Sequence, residues 1–173
     1  MDQRSIASNL NSIESLGASL YKAKGVISRS IQRLIHCELL AYRRLNANDS
    51  AASNRKFYEV RRDNLREFLN HGIRHTFVPE RLGYGRGIAT GWHCSSIDSE
   101  MHPPAIAYVW SASGGNCEGE LLEPFYPDAH KAASMDQALY EMLALIDIVR
   151  TGKPRELRYA REILARKVDS LRS

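Results

Sequence analysis

One stretch near the N-terminus decides the fold: Glu14-Ser-Leu-Gly-Ala-Ser-Leu-Tyr-Lys-Ala-Lys-Gly-Val-Ile-Ser-Arg-Ser-Ile-Gln-Arg-Leu34. Its apolar residues recur at a spacing of three or four, at Leu16, Leu20, Ile27, Ile31 and Leu34. This spacing is typical of helix faces, and a break near Tyr21 divides it into two sets. The stretch therefore predicts a short helix, a turn and a second helix, which must pack together because neither is long enough to be stable alone.

The second predicted helix has a polar face opposite its apolar one. Arginine suits the guanine edge in the major groove, glutamine suits adenine, and serine and lysine suit phosphates and mixed contacts. A first helix that braces the second against the duplex completes a helix-turn-helix. We expect Ser28, Arg29 and Gln32 to contact bases, and Lys22, Lys24 and Arg33 to contact phosphates.

A predicted β-hairpin follows the two helices. The polar segment 46–54 has the composition of a loop, and it lies between two stretches that can be strands, 39–45 and 56–60. Four basic residues of the hairpin are expected to follow the DNA backbone as a wing: Arg43, Arg44, Arg55 and Lys56.

These elements resemble the helix-turn-helix of winged-helix bacterial transcriptional regulators. The similar pieces are Leu16-Gly17-Ala18, Ile27-Ser28-Arg29-Ser30, Arg33-Leu34 and Leu39-Leu40. The resemblance implies sequence-specific binding to double-stranded DNA, most often by a homodimer that represses a promoter. Two positions depart from the family pattern, because Tyr21 stands where the turn usually has glycine and Ala23 where the second helix usually has a capping residue.

The rest of the chain gives a coarser prediction. A helix is expected near 61–72, then an irregular segment from Thr76 to Asp128 with one strand in 105–110. Two C-terminal helices follow, the first with a capping box of Ser134 and Gln137. Gly152 fits the end of that helix and Pro154 the start of the next. Their apolar stripes, 139–149 and 157–168, are candidate dimer surface or simply packing within the chain.

The predicted fold class is therefore mostly α with a small β wing, an α+β fold. Residues 1–60 form a winged helix-turn-helix DNA-binding domain. Residues 61–173 contain the connecting helix, the irregular or β segment and a C-terminal helical hairpin, for dimerisation or regulation.

Composition and charge limit the classes of function. The chain has 173 residues, 43% of them hydrophobic and 25% charged, which argues against a disordered chain. Without a long apolar segment or a signal sequence, we expect a cytoplasmic protein with no membrane contact. Residues 1–73 hold 12 Lys and Arg against 7 Asp and Glu, whereas residues 74–173 hold 12 against 13. This asymmetry favours an anionic partner for the N-terminal part, although a basic solvated surface has the same composition.

Other candidate sites are weak. The segment Gly83–Gly87 fits a turn better than a phosphate loop, since it lacks the lysine that such a loop requires. Arg86 and Thr90 suggest a small-ligand site, with a buried arginine that holds loop carbonyls as the favoured alternative. Three glutamates in 118–123 are expected to be solvated, and the His and Cys residues show no metal-ligand spacing. We therefore expect no enzyme activity, no cofactor and no metal.

One alternative function stays open. A protein-interaction module, such as an antitoxin-like protein or an inhibitor, would use the same basic helical face on an acidic protein partner.

Overall fold

The computed structural model describes residues 12–42, 58–97 and 103–171. The fold is mixed α and β, with small sheets. The chain forms two compact units, one of Met1–Leu65 with Leu171–Ser173, the other of Arg66–Ser170. Among the described residues, none of the helices has the length and apolarity needed to cross a lipid bilayer.

Two helices begin the described part of the first unit, α1 (Ile13–Ser19) and α2 (Lys24–His36). Ser12 caps α1, because its Oγ accepts a hydrogen bond from the Ser15 amide at 3.0 Å. The predicted order of a short helix, a turn and a second helix is confirmed. In the sequence Ile6, Leu10 and Ile13 also have helical spacing, and the first two lie outside the described residues.

The turn after α1 is a Schellman motif built without glycine at its left-handed position. The Lys22 amide donates to the Gly17 carbonyl at 2.8 Å, and the Tyr21 amide donates to the Ala18 carbonyl at 3.2 Å. Tyr21 adopts a φ of 54°, the conformation that glycine usually provides at this point. The glycine of the motif lies earlier, at Gly17, where an added Cβ would be 2.7 Å from the Lys22 carbonyl oxygen.

A short antiparallel pair of strands follows, β1 (Leu40–Tyr42) and β2 (Tyr58–Val60). Tyr42 lies opposite Tyr58, and their ring centroids are 5.7 Å apart. The predicted pairing of two strands is thus confirmed at its base. The predicted loop at 46–54 lies outside the described residues.

The next helix contains a π-helical turn. It consists of α3 (Arg62–Glu67), the π turn (Phe68–Gly72) and α4 (Ile73–Thr76). An added Cβ at Gly72 would be 2.7 Å from Phe68 Cδ2, so any side chain here would displace this ring. The prediction of a helix near 61–72 is confirmed, but the helix runs one turn further.

Three strands lie within the predicted irregular segment, and the second overlaps the strand predicted in 105–110. They are β3 (Arg81–Thr90), β4 (Tyr108–Ser111) and β5 (Cys117–Leu122), and they close into a small barrel. The prediction of a turn at Gly83–Gly87 is wrong, because this segment lies within β3. Its glycines permit close approach: a Cβ at Gly87 would be 2.0 Å from the Trp110 carbonyl oxygen.

Three helices complete the second unit, α5 (Ala129–Met135), α6 (Gln137–Thr151) and α7 (Pro154–Ser170). The predicted capping box is wrong: Asp136, not Ser134, caps α6 by accepting from the Leu139 amide at 3.0 Å. Ser134 instead lies in α5, where its hydroxyl donates to the Lys131 carbonyl. The predicted positions of Gly152 and Pro154 at the junction of α6 and α7 are confirmed.

The apolar stripes of α6 and α7 are buried in part within one chain, whereas Leu139, Met142, Leu157 and Ile163 are half-buried. The buried members are Leu143, Ile146, Val149, Ala160, Leu164 and Val168. Burial removes these residues from solvent, so they do not form the dimer surface for which the two stripes were candidates. The alternative of packing within the chain accounts for them.

A buried polar cluster joins α6 to the barrel. Asp147 Oδ2 accepts hydrogen bonds from Thr90 Oγ1 at 2.8 Å and from Trp110 Nε1 at 2.7 Å. Arg150 pairs with the other carboxylate oxygen at 2.7 Å. Burial raises the pKa of Asp147, while the Arg150 charge and the donors oppose that rise.

The same arginine binds the chain just before the first barrel strand and just after the last one. Arg150 donates to the Phe77 carbonyl at 2.7 Å and to the Glu123 carbonyl at 3.1 Å. The expected buried arginine that holds loop carbonyls therefore exists, but it is Arg150. The prediction for Arg86 is wrong, because Arg86 is exposed and pairs with Glu118 at 3.1 Å.

Candidate nucleic-acid interface

Helix α2 has one buried and one exposed face. Ile27 and Ile31 are buried, and the polar residues on the opposite side are exposed: Arg29, Gln32, Arg33 and His36. The spacing of three and four residues between these side chains places them on one face of the helix. The face offers guanidinium forks and an amide, the donor types that base edges and phosphates accept.

All charged residues of α2 are basic. The helix contains Lys24, Arg29 and Arg33 and no acidic residue. Among the described residues, neither Arg29 nor Arg33 takes part in an ion pair or a side-chain hydrogen bond. Both guanidinium groups are therefore available to an external anion.

Lys24, which is predicted to contact a phosphate, pairs with a carboxylate of the same chain. Its ammonium forms an exposed ion pair with Glu14 of α1. The same contact lowers the pKa of the Glu14 carboxyl. Exposed pairs of this kind are weak, so a phosphate can replace the carboxylate. The sequence gives no sign of this role for Glu14, because it is acidic and lies ten residues before Lys24.

The remaining predicted contacts lie in different environments. Ser28 is half-buried at the edge of the exposed face, and Lys22 is half-buried in the turn. Helix α2 begins without a side-chain cap at Ala23, so its first amides are not satisfied by a side chain there. Arg43, Arg44, Arg55 and Lys56 lie outside the described residues.

Acidic residues of the second unit take part in surface ion pairs. Arg81 pairs with Glu120 at 2.9 Å, and Glu118 pairs with Arg86. Glu118 and Glu123 are exposed, as expected for solvated carboxylates, and Glu120 is half-buried. Within the described ranges, no group of three or more His, Cys, Asp or Glu side chains is arranged to hold a metal ion.

The basic face of α2 is the candidate site. Its exposed arginine and glutamine side chains can donate hydrogen bonds to a ligand, and its positive charges can neutralise an anion. No protein-family model, curated protein or solved structure matches the chain.

Proposed function

We propose that the chain is a sequence-specific transcriptional regulator that binds double-stranded DNA through an N-terminal winged helix-turn-helix. In this proposal α2 enters the major groove, and α1 braces it. The hairpin that begins with β1 and ends with β2 is the wing. The protein acts as a repressor.

One observation carries the proposal: Arg29, Gln32 and Arg33 are exposed together, opposite the buried Ile27 and Ile31. A helix that used its polar face only for solubility would be expected to mix both signs of charge. Here the only charges on α2 are positive. The basic excess of residues 1–73, to which these α2 residues contribute, also supports an anionic partner.

The proposed roles divide between bases and phosphates. Arg29, Gln32 and Ser28 contact base edges, whereas Arg33, Lys22 and Lys24 contact phosphates, the last after release from Glu14. The basic wing residues Arg43, Arg44, Arg55 and Lys56 add phosphate contacts. A homodimer would present two α2 helices about 34–36 Å apart to a palindromic site.

The test is a selection of bound sequences from a randomised duplex pool by the full chain. Fluorescence anisotropy on the selected duplex and on a scrambled duplex then measures affinity at several salt concentrations. We expect the selected site to be palindromic and bound at least 100-fold more tightly than the scrambled one. With about eight phosphate contacts per dimer, log K falls with log salt at a slope near −7.

Two variants separate base contacts from phosphate contacts. Arg29→Ala weakens binding to the selected duplex about 10- to 100-fold and affects the scrambled duplex much less. Arg33→Ala weakens both duplexes and reduces the salt slope by about 2 for a dimer. Arg155→Ala is the control, because it removes an exposed arginine of α7 in the second unit.

Either failure to enrich any sequence from the pool or equal binding to the enriched and scrambled duplexes would overturn the proposal. The basic face would then be assigned to an acidic protein partner. Sedimentation equilibrium of the free protein and of the complex tests the homodimer separately.

A further inference from the structure

The second unit contains a groove that the proposed DNA-binding function does not use. It lies between the π turn and α7 and has a volume of about 460 Å³. Asn70 and His71 line it from the π turn, and Arg158, Arg161 and Glu162 line it from α7. Volumes of this size accommodate a small organic molecule.

Arg161 provides the first observation that points to a ligand. Its Nε is buried and has no hydrogen-bond partner among the described residues. A buried donor without a partner loses its hydrogen bonds to water and gains none in the fold, so native proteins seldom leave one unsatisfied. Because other parts of the half-buried Arg161 side chain line the groove, an acceptor from outside the chain would satisfy Nε after a small shift of that side chain.

The charge of the groove provides the second observation. Arg158 lies one helical turn before Arg161, so both guanidinium groups lie on one side of α7. In the part of the chain that the structure describes, neither forms an ion pair, although Lys167 of the same helix pairs with Glu141. Two arginines against one lining carboxylate, Glu162, leave the groove positively charged.

The π turn provides the third observation. It interrupts the helix at Phe68–Gly72, where Asn70 and His71 line the groove. Turns of this type are rare and are frequent at functional sites. The turn adds polar groups on the side of the groove that faces α7.

The groove also has apolar lining. Pro154, Leu157 and Ala165 contribute it along α7. A simple inorganic anion would gain nothing from these three side chains, whereas an organic anion would bury its hydrocarbon part against them.

We propose that this groove binds a small organic carboxylate. The carboxylate accepts from Arg161 and Arg158, whose planar guanidinium groups match its two oxygens. The hydrocarbon part of the ligand lies along Leu157 and Ala165. This site is independent of the DNA-binding proposal and stands if that proposal fails.

The experiment is isothermal titration of the full chain with benzoate, hexanoate, their neutral amides and inorganic phosphate. We expect at least one carboxylate to bind with a Kd of about 1 mM or lower, and its amide to bind at least tenfold more weakly. Inorganic phosphate is expected to bind at least tenfold more weakly than that carboxylate, because it leaves the apolar lining unused.

Variants assign the binding to the groove. Arg161→Met keeps the aliphatic stem, removes the buried Nε and is expected to weaken binding at least tenfold without lowering the melting temperature. Glu162→Gln removes a negative charge and is expected to tighten binding severalfold. Arg155→Met is the control, since this exposed arginine of α7 does not line the groove.

Three results would overturn the proposal. One is the absence of binding by either carboxylate at 10 mM. The second is unchanged affinity in both Arg161→Met and Glu162→Gln, which would place the ligand elsewhere. The third is phosphate binding as tight as carboxylate binding, which would reduce the groove to a general anion site, such as one for a nucleic-acid backbone.

Discussion

Asp147 and Arg150 form an ion pair inside the second unit, with Nη1 of the arginine 2.7 Å from Oδ1 of the aspartate. Only 1% of the Asp147 side chain and 2% of the Arg150 side chain are exposed. The two residues are three apart in α6, and their other hydrogen bonds reach β3, β4 and the carbonyls of Phe77, just before β3, and Glu123, just after β5. The ion pair lies within α6, and its other hydrogen bonds link this helix to the sheet.

Removal of Asp147 is expected to be severely destabilising. Asp147→Ala leaves the Arg150 charge buried without a counter-ion and leaves Thr90 and Trp110 without their acceptor. The loss of unfolding free energy should be about 3–5 kcal/mol. Urea unfolding monitored by tryptophan fluorescence measures it, because Trp92 and Trp110 are the only tryptophans and both belong to the second unit.

A double-mutant cycle isolates the pair itself. We expect Asp147→Leu combined with Arg150→Met to cost about 1–3 kcal/mol less than the sum of the two single changes. A strictly additive cycle would show that the two residues act through their other hydrogen bonds only.

Sequence periodicity predicts the helices well because burial on one side imposes the spacing of three and four. The pairs Ile27 with Ile31 and Leu164 with Val168 are apolar in the sequence and buried in the fold. Gly152 and Pro154 mark a helix boundary through their backbone properties alone, so their positions are also predictable.

In the barrel only β4 overlaps a predicted strand, the one in 105–110, and the other two strands are not predictable from periodicity. Strand β3 contains Gly83, Gly85 and Gly87, and glycines at alternate positions resemble a loop in a single sequence. Their function depends on tertiary contacts, since Gly87 lies against the Trp110 backbone and Gly85 against Leu121. Such contacts leave no periodic signal.

The candidate interface was predictable in part. Arg29 and Gln32 are recognisable because the helical spacing places them on the face opposite the apolar Ile27 and Ile31. The partner of Lys24 was not, because Glu14 is ten residues away and meets it only after the turn folds. A signal for the buried pair did exist: Asp147 and Arg150 are the only charges in an otherwise apolar stretch, 142–150.

Glu38→Gly is expected to stabilise the first unit. Glu38 follows α2 with a φ of 58°, and the Leu39 amide donates to the Leu34 carbonyl across it at 2.8 Å, as in a Schellman motif. A side chain in this conformation costs about 1 kcal/mol relative to glycine. Unfolding of this unit is measured by far-ultraviolet circular dichroism. Because both tryptophans belong to the second unit, the transition of the first unit is the one that does not change tryptophan fluorescence.

The control for this change is Glu38→Ala, which keeps the Cβ and therefore the strain. It should leave stability within about 0.5 kcal/mol of the original chain. The Asn64 side chain donates to the Glu38 backbone carbonyl at 2.9 Å, and both variants retain that acceptor. Equal stabilisation by glycine and alanine would mean that the Glu38 charge, not its backbone, is unfavourable.

Two glycines of the helix pair should respond in opposite directions to alanine. Gly17→Ala places a Cβ 2.7 Å from the Lys22 carbonyl oxygen, so the turn must shift, at a cost of about 1–3 kcal/mol. Gly25→Ala meets nothing within 4 Å and should stabilise α2 by up to about 1 kcal/mol. The same circular dichroism transition measures both, and destabilisation of equal size would contradict the packing of α1 on the turn.

Glu14→Gln is expected to tighten DNA binding if the proposed function is correct. The change releases Lys24 from its ion pair and removes a negative charge beside the start of α2. We expect a two- to fivefold gain in affinity at low salt that disappears at high salt, because exposed ion pairs contribute at most about 1 kcal/mol and are screened. Glu118→Gln is the matched control, since it breaks an exposed pair with Arg86 in the second unit. If Glu14→Gln gains as much in a Lys24→Ala background as alone, the ion pair is not the cause. The gain would then come from the loss of Glu14's charge acting directly on the DNA phosphates.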